Sequence, residues 1–352
     1  MSGAVLITGG AGFVGSNLAL RLLAAGERVI VLDNLSRPEV AKNLDHIRRR
    51  HGRDVDVCVA DVRDPVAVAE AARGASFVYH FAAQVAVTRS VVDPIHDFDV
   101  NARGTLTLLE ALRAQSEPPP LLFTSTNKVY GALDDVALAR RGDRYEPEDE
   151  RLRLSGISEA RPLDLHSPYG CSKGAADQYV LDYARTFGLR TAVLRMSCIY
   201  GPRQFGTEDQ GWIAHFLIKA LRREPITLYG DGMQVRDALF VGDLCDALLA
   251  ARREMPAISG RAFNIGGGPE NTVSLLELVD LIGEIEGQRP SLGFEGWRPG
   301  DQRYYVSDCR AFHAATGWWP QVSLREGVRE LHRWLTHAIG PAAEPPLQEA
   351  AR

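Results

Sequence analysis

The stretch AVLITGGAGFVG, residues 4–15, decides the fold of this chain. A short apolar run leads directly into Gly9, Gly12 and Gly15, spaced as GxxGxxG, and then into residues with helical spacing. Glycines at a strand-to-helix turn allow a tight bend, close approach of the backbone to a pyrophosphate, and close packing of the helix on the strand. Free amides at the helix N-terminus attract an anion. The sequence therefore predicts a dinucleotide-binding βαβ unit here.

The same alternation of strand and helix patterns continues to about residue 197. Apolar runs recur in RVIVLD, VDVCVAD, FVYHFAA, PLLFTST and RTAVLRMS, and a helical pattern follows each of them. Continuous apolar runs are typical of parallel strands that helices cover on both faces. The predicted fold is therefore α/β: a doubly wound (Rossmann) parallel sheet with a smaller, discontinuous C-terminal α/β domain.

The loosening of this pattern after Ser197 sets the predicted domain boundaries. Residues 1–196, together with about 234–257 returning to the main sheet as a strand and a helix, form the predicted dinucleotide-binding domain. Residues 197–233 and 258–338 form the predicted substrate domain. The Pro/Ala-rich residues 339–352 are expected to be a disordered tail.

Composition narrows the class of protein. The 352 residues are 45% apolar and 24% charged with a net charge of −5, so neither nucleic acid nor a membrane is an expected partner. No apolar run approaches the roughly 20 residues that span a bilayer. The five cysteines form no CxxC or Cys/His cluster, so no metal and no disulfide framework is expected. Without a basic leader, the expected location is the cytoplasm.

Asp33 ends the second apolar run, about 20 residues after the glycine turn, where a ribose-binding acid is expected. Its carboxylate would bind the ribose hydroxyls and repel a 2′-phosphate, which favours NAD over NADP, although Arg37 nearby could soften the preference. A solvated strand-end acid is the alternative interpretation. Asp61 and Val62 are expected to flank the adenine, and the small residues of FAAQ (81–84) would let backbone approach the cofactor.

Two further stretches carry hydroxyl and amine groups: FTSTNKVYG (123–131) and HSPYGCSK (166–173). Tyr169 and Lys173 are four residues apart and would share one face of a helix. A tyrosine with a pKa near 10 is a poor base, but a nearby ammonium and the positive nicotinamide would stabilise its phenolate. Thr126 could hold the substrate hydroxyl between itself and the phenolate. This arrangement predicts hydride transfer; a surface Tyr–Lys pair is the alternative interpretation.

The chain resembles the extended short-chain dehydrogenase/reductase family, whose members epimerise or dehydrate nucleotide-linked sugars. Besides the motifs above, the resemblance rests on HFAAQ, NARGT, YGPRQ, VRDALFVGDL and RPGDQ. The resemblance extends from Gly9 to about Trp334. It implies a catalytic set of Thr126, Tyr169 and Lys173. It also implies that two arginines bind the substrate diphosphate, for which forked cationic donors are suited, and that an aspartate binds the nucleotide ribose.

The predicted site residues are as follows. The substrate contacts are Thr126, Asn127, Arg203, Gln204, the two diphosphate arginines Arg236 and Arg298, and the ribose-binding Asp301. The NAD contacts are Gly9, Gly12, Phe13, Val14, Gly15, Asp33, Asn34, Ser36, Arg37, Asp61, Val62, Phe81, Ala82, Ala83, Gln84, Asn101, Tyr169 and Lys173.

Asn127 and Lys128 limit the reactions that we expect of this chain. Dehydratases of the family place an Asp-Glu pair, and decarboxylases a glutamate, at these positions, so neither reaction is expected here. STNKVYG and YGPRQFGTEDQGW resemble the CDP-paratose 2-epimerase (CDP-tyvelose epimerase) group, which oxidises C2 and regenerates NAD within one turnover. The predicted substrate is a nucleotide-linked hexose, with a CDP-hexose favoured. A sugar-nucleotide 4-epimerase is the alternative, and a redox sensor or scaffold without turnover is a different class.

Two further expectations concern the shape of the molecule. Residues 132–166 separate the catalytic strand from the catalytic helix and form either a lid or wall at the sugar pocket or a surface excursion. The family resemblance implies a homodimer or homotetramer that pairs helices 102–115 and 168–187 of neighbouring subunits.

Overall fold

The computed structural model describes residues 3–37, 39–298 and 300–340. Its strands are β1 (Val5–Thr8), β2 (Val29–Asp33), β3 (Val55–Val59), β4 (Phe77–His80), β5 (Leu121–Thr126), β6 (Leu138–Arg141), β7 (Arg144–Pro147), β8 (Thr191–Met196), β9 (Cys198–Tyr200), β10 (Ile226–Tyr229), β11 (Val235–Phe240), β12 (Ala262–Ile265), β13 (Thr272–Ser274), β14 (Leu292–Glu295) and β15 (Tyr304–Tyr305).

Its helices are α1 (Phe13–Ala24), α2 (Val40–His51), α3 (Pro65–Ala72), α4 (Val87–Val92), α5 (Pro94–Phe98), α6 (Gly104–Arg113), α7 (Glu150–Ser155), α8 (Ser167–Phe187), α9 (Trp212–Leu221), α10 (Val241–Arg253), α11 (Met255–Ile258), α12 (Leu275–Glu286), α13 (Arg310–Thr316) and α14 (Leu324–Ile339). A π-helical turn, Asp99–Arg103, leads into α6. The predicted tail starts at residue 339: Ile339 is the last residue of α14, and residues 341–352 lie outside the described residues.

Seven parallel strands form the main sheet in the order β12-β8-β5-β4-β1-β2-β3. Both faces are covered: Val5 and Ile7 of β1 enter one buried apolar cluster, and Leu6 enters the other. The predicted doubly wound sheet is therefore confirmed, and continuous apolar strands are what such burial requires. The strand order reverses between β1 and β4, so a crevice opens at their carboxyl ends, where ligands of this fold bind.

The prediction for residues 234–257 is half wrong. The helix of that segment, α10, does pack on the main sheet, where Leu244 and Leu248 join the buried cluster around β1. Its strand, β11, instead pairs with β9, β13 and β15 in a separate sheet. The seventh strand of the main sheet is β12, which the sequence analysis placed in the substrate domain. Both strands are short and almost fully buried, and the local sequence does not distinguish their partners.

The second part of the molecule has its own core. Helices α9, α12 and α14 pack together through Leu217, Ile282 and Leu331, all fully buried. The β11 sheet lies against these helices, and β10 and β14 form a second, two-stranded parallel sheet. This is the smaller, discontinuous α/β unit that the sequence predicts.

Residues 132–166 are bound to that second part rather than projecting from the surface. The antiparallel hairpin β6–β7 carries Arg144, which forms an ion pair of 2.8 Å with Glu277, and the Tyr145 amide donates to the Met233 carbonyl at 2.9 Å. Farther along, the Ile157 amide donates to Val306 at 2.7 Å. The segment is therefore fastened to the second part by an ion pair and backbone hydrogen bonds.

Asp237, in the middle of β11, is fully buried and joins three chain segments. Its carboxylate accepts hydrogen bonds from the Gly268 and Ser307 amides, both at 3.1 Å, and from the Ser197 hydroxyl. Burial raises the pKa of Asp237, and these donors partly offset that effect. The contact fastens the end of β8 and the loops after β12 and β15 to one point.

Arg195 and Asp177 form a bidentate ion pair between β8 and α8, with N–O distances of 2.9 and 3.0 Å and side chains 6% and 0% exposed. Removing one partner from such a pair leaves an uncompensated buried charge. Arg195→Met should therefore lower the free energy of unfolding by about 3–5 kcal/mol. The measurement is denaturant-induced unfolding followed by circular dichroism.

Arg185→Met is the matched control, because Arg185 pairs with Asp182 on the outside of the same helix, where the side chains are 81% and 38% exposed. Its unfolding midpoint should hardly move. Equal effects of the two substitutions would contradict a stabilising role for the buried pair.

Candidate active site

The loops after β1 and β4 touch at the crevice. Gly9 has a φ of +68°, and a Cβ placed on it would lie 2.7 Å from the Ala82 amide nitrogen, while a Cβ on Gly15 would collide with the Gly9 carbonyl. Side chains at these positions are therefore excluded. We call Gly9, Gly12 and Gly15 the glycine cradle. Because no side chain covers their backbone, a ligand phosphate can contact it directly, as a dinucleotide pyrophosphate requires.

The start of α1 faces this cradle. Gly12 is its N-cap and provides no side-chain cap, and no acidic residue lies in the first turn of α1. The amides of Phe13, Val14 and Gly15 stand at the positive end of the helix, where an anion is stabilised. The structure thus places the predicted glycine turn, with Phe13 and Val14, where a phosphate can bind.

Asp33 lies at the carboxyl end of β2, beside the glycine turn. Its two carboxylate oxygens accept the Ala11 amide at 3.1 Å and the Leu35 amide at 2.9 Å. Burial raises the pKa of Asp33, and the two amides and the Arg37 charge oppose the rise. Each carboxylate oxygen keeps a lone pair for a ribose hydroxyl. Ser36 follows in the same loop, where its amide donates to Asn34 at 3.1 Å.

Asp61 and Val62 lie at the end of the neighbouring strand. Asn34 donates to Asp61 at 3.0 Å, and Arg63 holds the same carboxylate in a bidentate contact, so hydrogen bonds from Arg63 and Asn34 keep the pKa of Asp61 far below its usual range. Val62 packs against Gly104 of α6. The Phe81 amide continues the ladder to β1 by donating to the Thr8 carbonyl at 3.0 Å, which leads residues 81–83 into the crevice.

Thr126, Tyr169 and Lys173 are brought together as the sequence predicts. Thr126 ends β5, and its hydroxyl lowers the pKa of the Tyr169 phenol by hydrogen bonding, although burial has the larger effect and raises that pKa to about 12. The Lys173 Nζ donates to the Thr124 carbonyl at 2.7 Å and lies 4.1 Å from the centroid of the Phe123 ring. Burial lowers the pKa of Lys173 to about 7, against the charges of Asp177 and Asp97.

A buried polar network around Asp97, which no local sequence pattern indicates, holds α8 in place. Asp97 is fully buried and accepts hydrogen bonds from the Ser172 hydroxyl, from Gln84 at 2.7 Å and from Asn101 at 3.2 Å. Asn101 also binds Ser172 at 3.0 Å and the Gln84 amide at 2.9 Å. The side chains of Gln84 and Asn101, both predicted NAD contacts, are thus used to join α5, the π-helical turn and α8.

The residues after Thr126 connect the catalytic strand to the second part of the chain. Asn127 donates to the Gln302 side chain at 3.2 Å, and Gln302 is fully buried and donates to the Gly131 carbonyl at 2.6 Å. Lys128 donates to the Gly300 carbonyl at 3.0 Å. Asn127 is a predicted substrate contact, and no local pattern in the sequence indicates its partner Gln302, 175 positions away.

Arg236 and Asp301 lie next to this connection. The Arg236 guanidinium forms an ion pair of 2.7 Å with Asp301 and also donates to the Val235 carbonyl at 2.8 Å and to the Gln302 carbonyl. Burial opposes ionisation of Asp301, but the charges of Arg236 and Lys128 outweigh it and keep the pKa of Asp301 below its usual value. The predicted diphosphate and ribose contacts thus share one pocket edge.

Arg298 is held by a bridging loop, which we define as residues 205–211. Glu208 of this loop pairs with Arg298 at 2.7 Å, and the Arg298 guanidinium stacks 3.7 Å from the centroid of the Tyr229 ring. Asp209 accepts a hydrogen bond from Thr88 at 2.8 Å, and Gln210 accepts one from Arg37 at 2.6 Å. The bridging loop therefore joins the predicted NAD-binding side of the crevice to the predicted substrate side.

Arg203 and Gln204, which directly precede the bridging loop, have different surroundings. Gln204 is buried and donates to the Ile199 carbonyl at 3.1 Å, and its Oε1 has no partner among the described residues. Arg203 adopts a φ of +71°, and its carbonyl accepts from Asn43 of α2 at 3.4 Å. Burial lowers the pKa of Arg203, and the nearby charge of Arg50, also of α2, lowers it further. The structure does not group Arg203 with Arg236 and Arg298.

Comparison with known proteins agrees with this geometry. The model of the NAD dependent epimerase/dehydratase family matches residues 5–266. The chain belongs to this family. It is 42% identical over 342 residues to the CDP-paratose 2-epimerase of Salmonella typhi, covering 94% of this chain and 99% of the relative, and 33% identical to the UDP-glucose 4-epimerase of Mycolicibacterium smegmatis, covering 92% and 95%.

Solved structures show the same architecture. The UDP-glucose 4-epimerase of Thermotoga maritima, solved with UDP-glucose, is similar with a TM-score of 0.81 and 30% identity, over 96% of this chain and 99% of that chain. The UDP-glucose 4-epimerase of Thermus thermophilus, solved with NAD, has a TM-score of 0.78 and 33% identity, over 95% and 99%.

The chain is therefore an NAD-dependent epimerase that acts on nucleotide-linked sugars. The cofactor prediction is confirmed, and the glycine cradle, the N-terminus of α1 and Asp33 fit that cofactor. Within the described ranges, none of the helices has the length and apolarity needed to cross a bilayer.

Asp33→Ala tests the choice of cofactor. The unmodified protein should bind NAD far more tightly than NADP, because a 2′-phosphate would lie beside a carboxylate. The substitution should weaken NAD binding by about tenfold or more, the scale of hydrogen bonds to a charged group, and narrow the gap to NADP. Titration of both cofactors measures this. Asp56→Ala, on the exposed side of β3, is the charge-matched control. Equal affinities in the unmodified protein would refute the assignment.

Tyr169→Phe tests the catalytic base. Turnover should fall by roughly 100-fold or more, the scale of losing a general base, while the ring still packs. NAD affinity and the unfolding midpoint should persist. Tyr179→Phe removes a hydroxyl from the exposed side of the same helix and should leave turnover unchanged. Near-normal turnover of Tyr169→Phe would show that another group takes the proton.

Proposed function

We propose that this epimerase inverts C2 of a nucleotide-linked hexose, with a CDP-hexose of the CDP-paratose/CDP-tyvelose or CDP-glucose type as the favoured substrate. The observation that carries the proposal is the environment of Asn127 and Lys128. Both side chains bind the segment 300–302, and neither is a carboxylate that could remove water or carbon dioxide from a keto sugar. The 42% identity to a CDP-paratose 2-epimerase supports the position and the nucleotide.

The roles at the reacting carbon follow from the catalytic group. Thr126 and Tyr169 hold the C2 hydroxyl, and the Tyr169 phenolate removes its proton. Lys173, anchored at the Thr124 carbonyl, provides the positive charge that stabilises the phenolate. Bound NAD, which the glycine cradle, the N-terminus of α1 and Asp33 would hold, would supply a reversible hydride acceptor for C2. Tyr169 then returns its proton to the C2 oxygen.

Arg236, Arg298 and Asp301 serve the nucleotide in this proposal. Arg236 is buried at the pocket edge, and Arg298 is fixed over the Tyr229 ring, so both guanidinium groups are ordered in advance for a diphosphate. Asp301, kept ionised by Arg236, accepts the ribose hydroxyls. The main sheet with α10 and β12 binds NAD, and the second part, together with residues 132–166, binds the sugar nucleotide.

A homodimer or homotetramer is proposed through α6 and α8. Tyr183 of α8 donates to Glu110 of α6, and Arg113 of α6 lies 4.9 Å from the centroid of the Phe187 ring, so the two helices form one continuous surface. Tyr179 and Phe187 are exposed on it. Cytoplasmic location is proposed on the five cysteines, all of which are free thiols.

A CDP-hexose deuterated at C2 tests the reacting carbon. The C2-inverted product should keep its deuterium in water, because the same hydride leaves and returns. Proton and deuterium NMR of the product measures this, with the UDP-linked sugar tested in parallel. Inversion at C4 with C2 untouched would favour the 4-epimerase that the relatives at about 33% identity suggest. Loss of the label at C2 would replace hydride transfer by deprotonation of C2.

A further inference from the structure

Lys128 is a cation at the candidate site. The proposed mechanism gives its side chain no contact with the substrate. Its Nζ donates to the Gly300 carbonyl at 3.0 Å and lies 3.8 Å from the Asp301 carboxylate. Its own carbonyl lies against the first turn of α8, where a Cβ on Gly170 would approach it to 3.3 Å. The backbone of Lys128 therefore contacts the turn of α8 that carries Tyr169, and its ammonium reaches the segment that carries Asp301.

The lysine ammonium has more donors than partners. It carries three N–H donors. Among the described residues it makes one hydrogen bond, to Gly300, and the longer contact to Asp301. The side chain is only 20% exposed, and burial lowers the pKa of Lys128 to about 8, a shift that Asp301 opposes and Arg236 increases. An anion bound beside Lys128 would compensate the buried charge and use the remaining donors.

The local charge balance also favours an anion. Lys128 and Arg236 both contact Asp301, so two cations share a single carboxylate. The segment carrying Asp301 passes over the start of α8, since a Cβ on Gly300 would lie 3.9 Å from the Ser167 Cβ. The Lys128 ammonium thus lies beside Asp301, in the region where Asp301 and the start of α8 approach each other and where a sugar nucleotide that contacts both Asp301 and Tyr169 has its diphosphate.

The chemistry of the substrate identifies the group that passes there. C2 is bonded to C1, which carries the β-phosphate, whereas C4 lies across the ring. A sugar that presents C2 to Tyr169 therefore brings its β-phosphate close to the tyrosine, and a sugar that presents C4 places it farther away. Resting on the proposed C2 inversion, we propose that the Lys128 ammonium binds the β-phosphate of the nucleotide sugar and thereby selects C2 for reaction.

Binding of CDP and CMP, with UDP and UMP in parallel, tests the contact without turnover. Lys128→Met should weaken CDP binding by roughly 10- to 100-fold, the scale of a charge-assisted hydrogen bond, and should leave CMP binding almost unchanged, because CMP lacks the β-phosphate. Lys128→Arg keeps the charge and should retain most of the CDP affinity. Equal weakening of CDP and CMP would mean that Lys128 only supports the segment 300–301, and an unchanged CDP affinity would overturn the contact itself.

Product NMR of the same variants separates this inference from the proposed function. Lys128→Met should lower the rate of C2 inversion and raise the share of C4-inverted product, while Lys128→Arg should not. If the unmodified enzyme inverts only C4, the proposed function and the selectivity claim fail, although loss of CDP affinity would still support the phosphate contact. If the unmodified enzyme inverts C2 and Lys128→Met keeps the same rate and product, the proposed function stands and the inference falls.

Discussion

The burial of one carboxylate constrains how the two parts of this molecule fit together. Asp237 has no cation within salt-bridge distance among the described residues, and it is held by backbone amides and a hydroxyl from three separate segments. A buried charge is costly unless every lone pair is satisfied, so these segments must meet at one point. One of them is the corner after β8, and another directly follows β15, the strand that comes after Asp301 and Gln302. The position of Arg236, the neighbour of Asp237 in β11, follows from this junction.

The main sheet could be predicted because its strands are buried on both faces and therefore carry an unmistakable apolar pattern. The same apolar pattern does not indicate which of the sheets a strand joins. Val235–Phe240 and Ala262–Ile265 are both short and almost fully buried, and only tertiary packing placed the second of them beside β8. Residues 132–166 show the converse limit, since their hairpin gains its stability from distant partners such as Glu277 and Met233.

At the site, the predictable residues were those whose role is local. Gly9 and Asp33 follow from the geometry of one βαβ unit, and Tyr169 and Lys173 from one helix. Asp97 could not be found in this way, because its partners lie on three elements and its importance comes from complete burial. Asn127 and Lys128 stand out in the sequence because dehydratases have acidic residues at these positions. Their contacts with residues 300–302, however, depend on how the chain returns from the second part. The spacing of residues in the sequence carries no information about which distant segment packs against residues 127 and 128.

The late position of β12 has a consequence for synthesis on the ribosome. Six strands of the main sheet are complete once residue 196 has emerged, but β8 then presents an unpaired outer edge until β12 arrives after residue 261. An open edge of an apolar parallel strand is prone to pair with other chains. The nascent chain must cross into the second part and back before that edge closes, and Gln302, the partner of Asn127, emerges later still. A translating chain is thus able to form the crevice between β1 and β4 well before the contacts of Asn127 and Lys128 with residues 300–302.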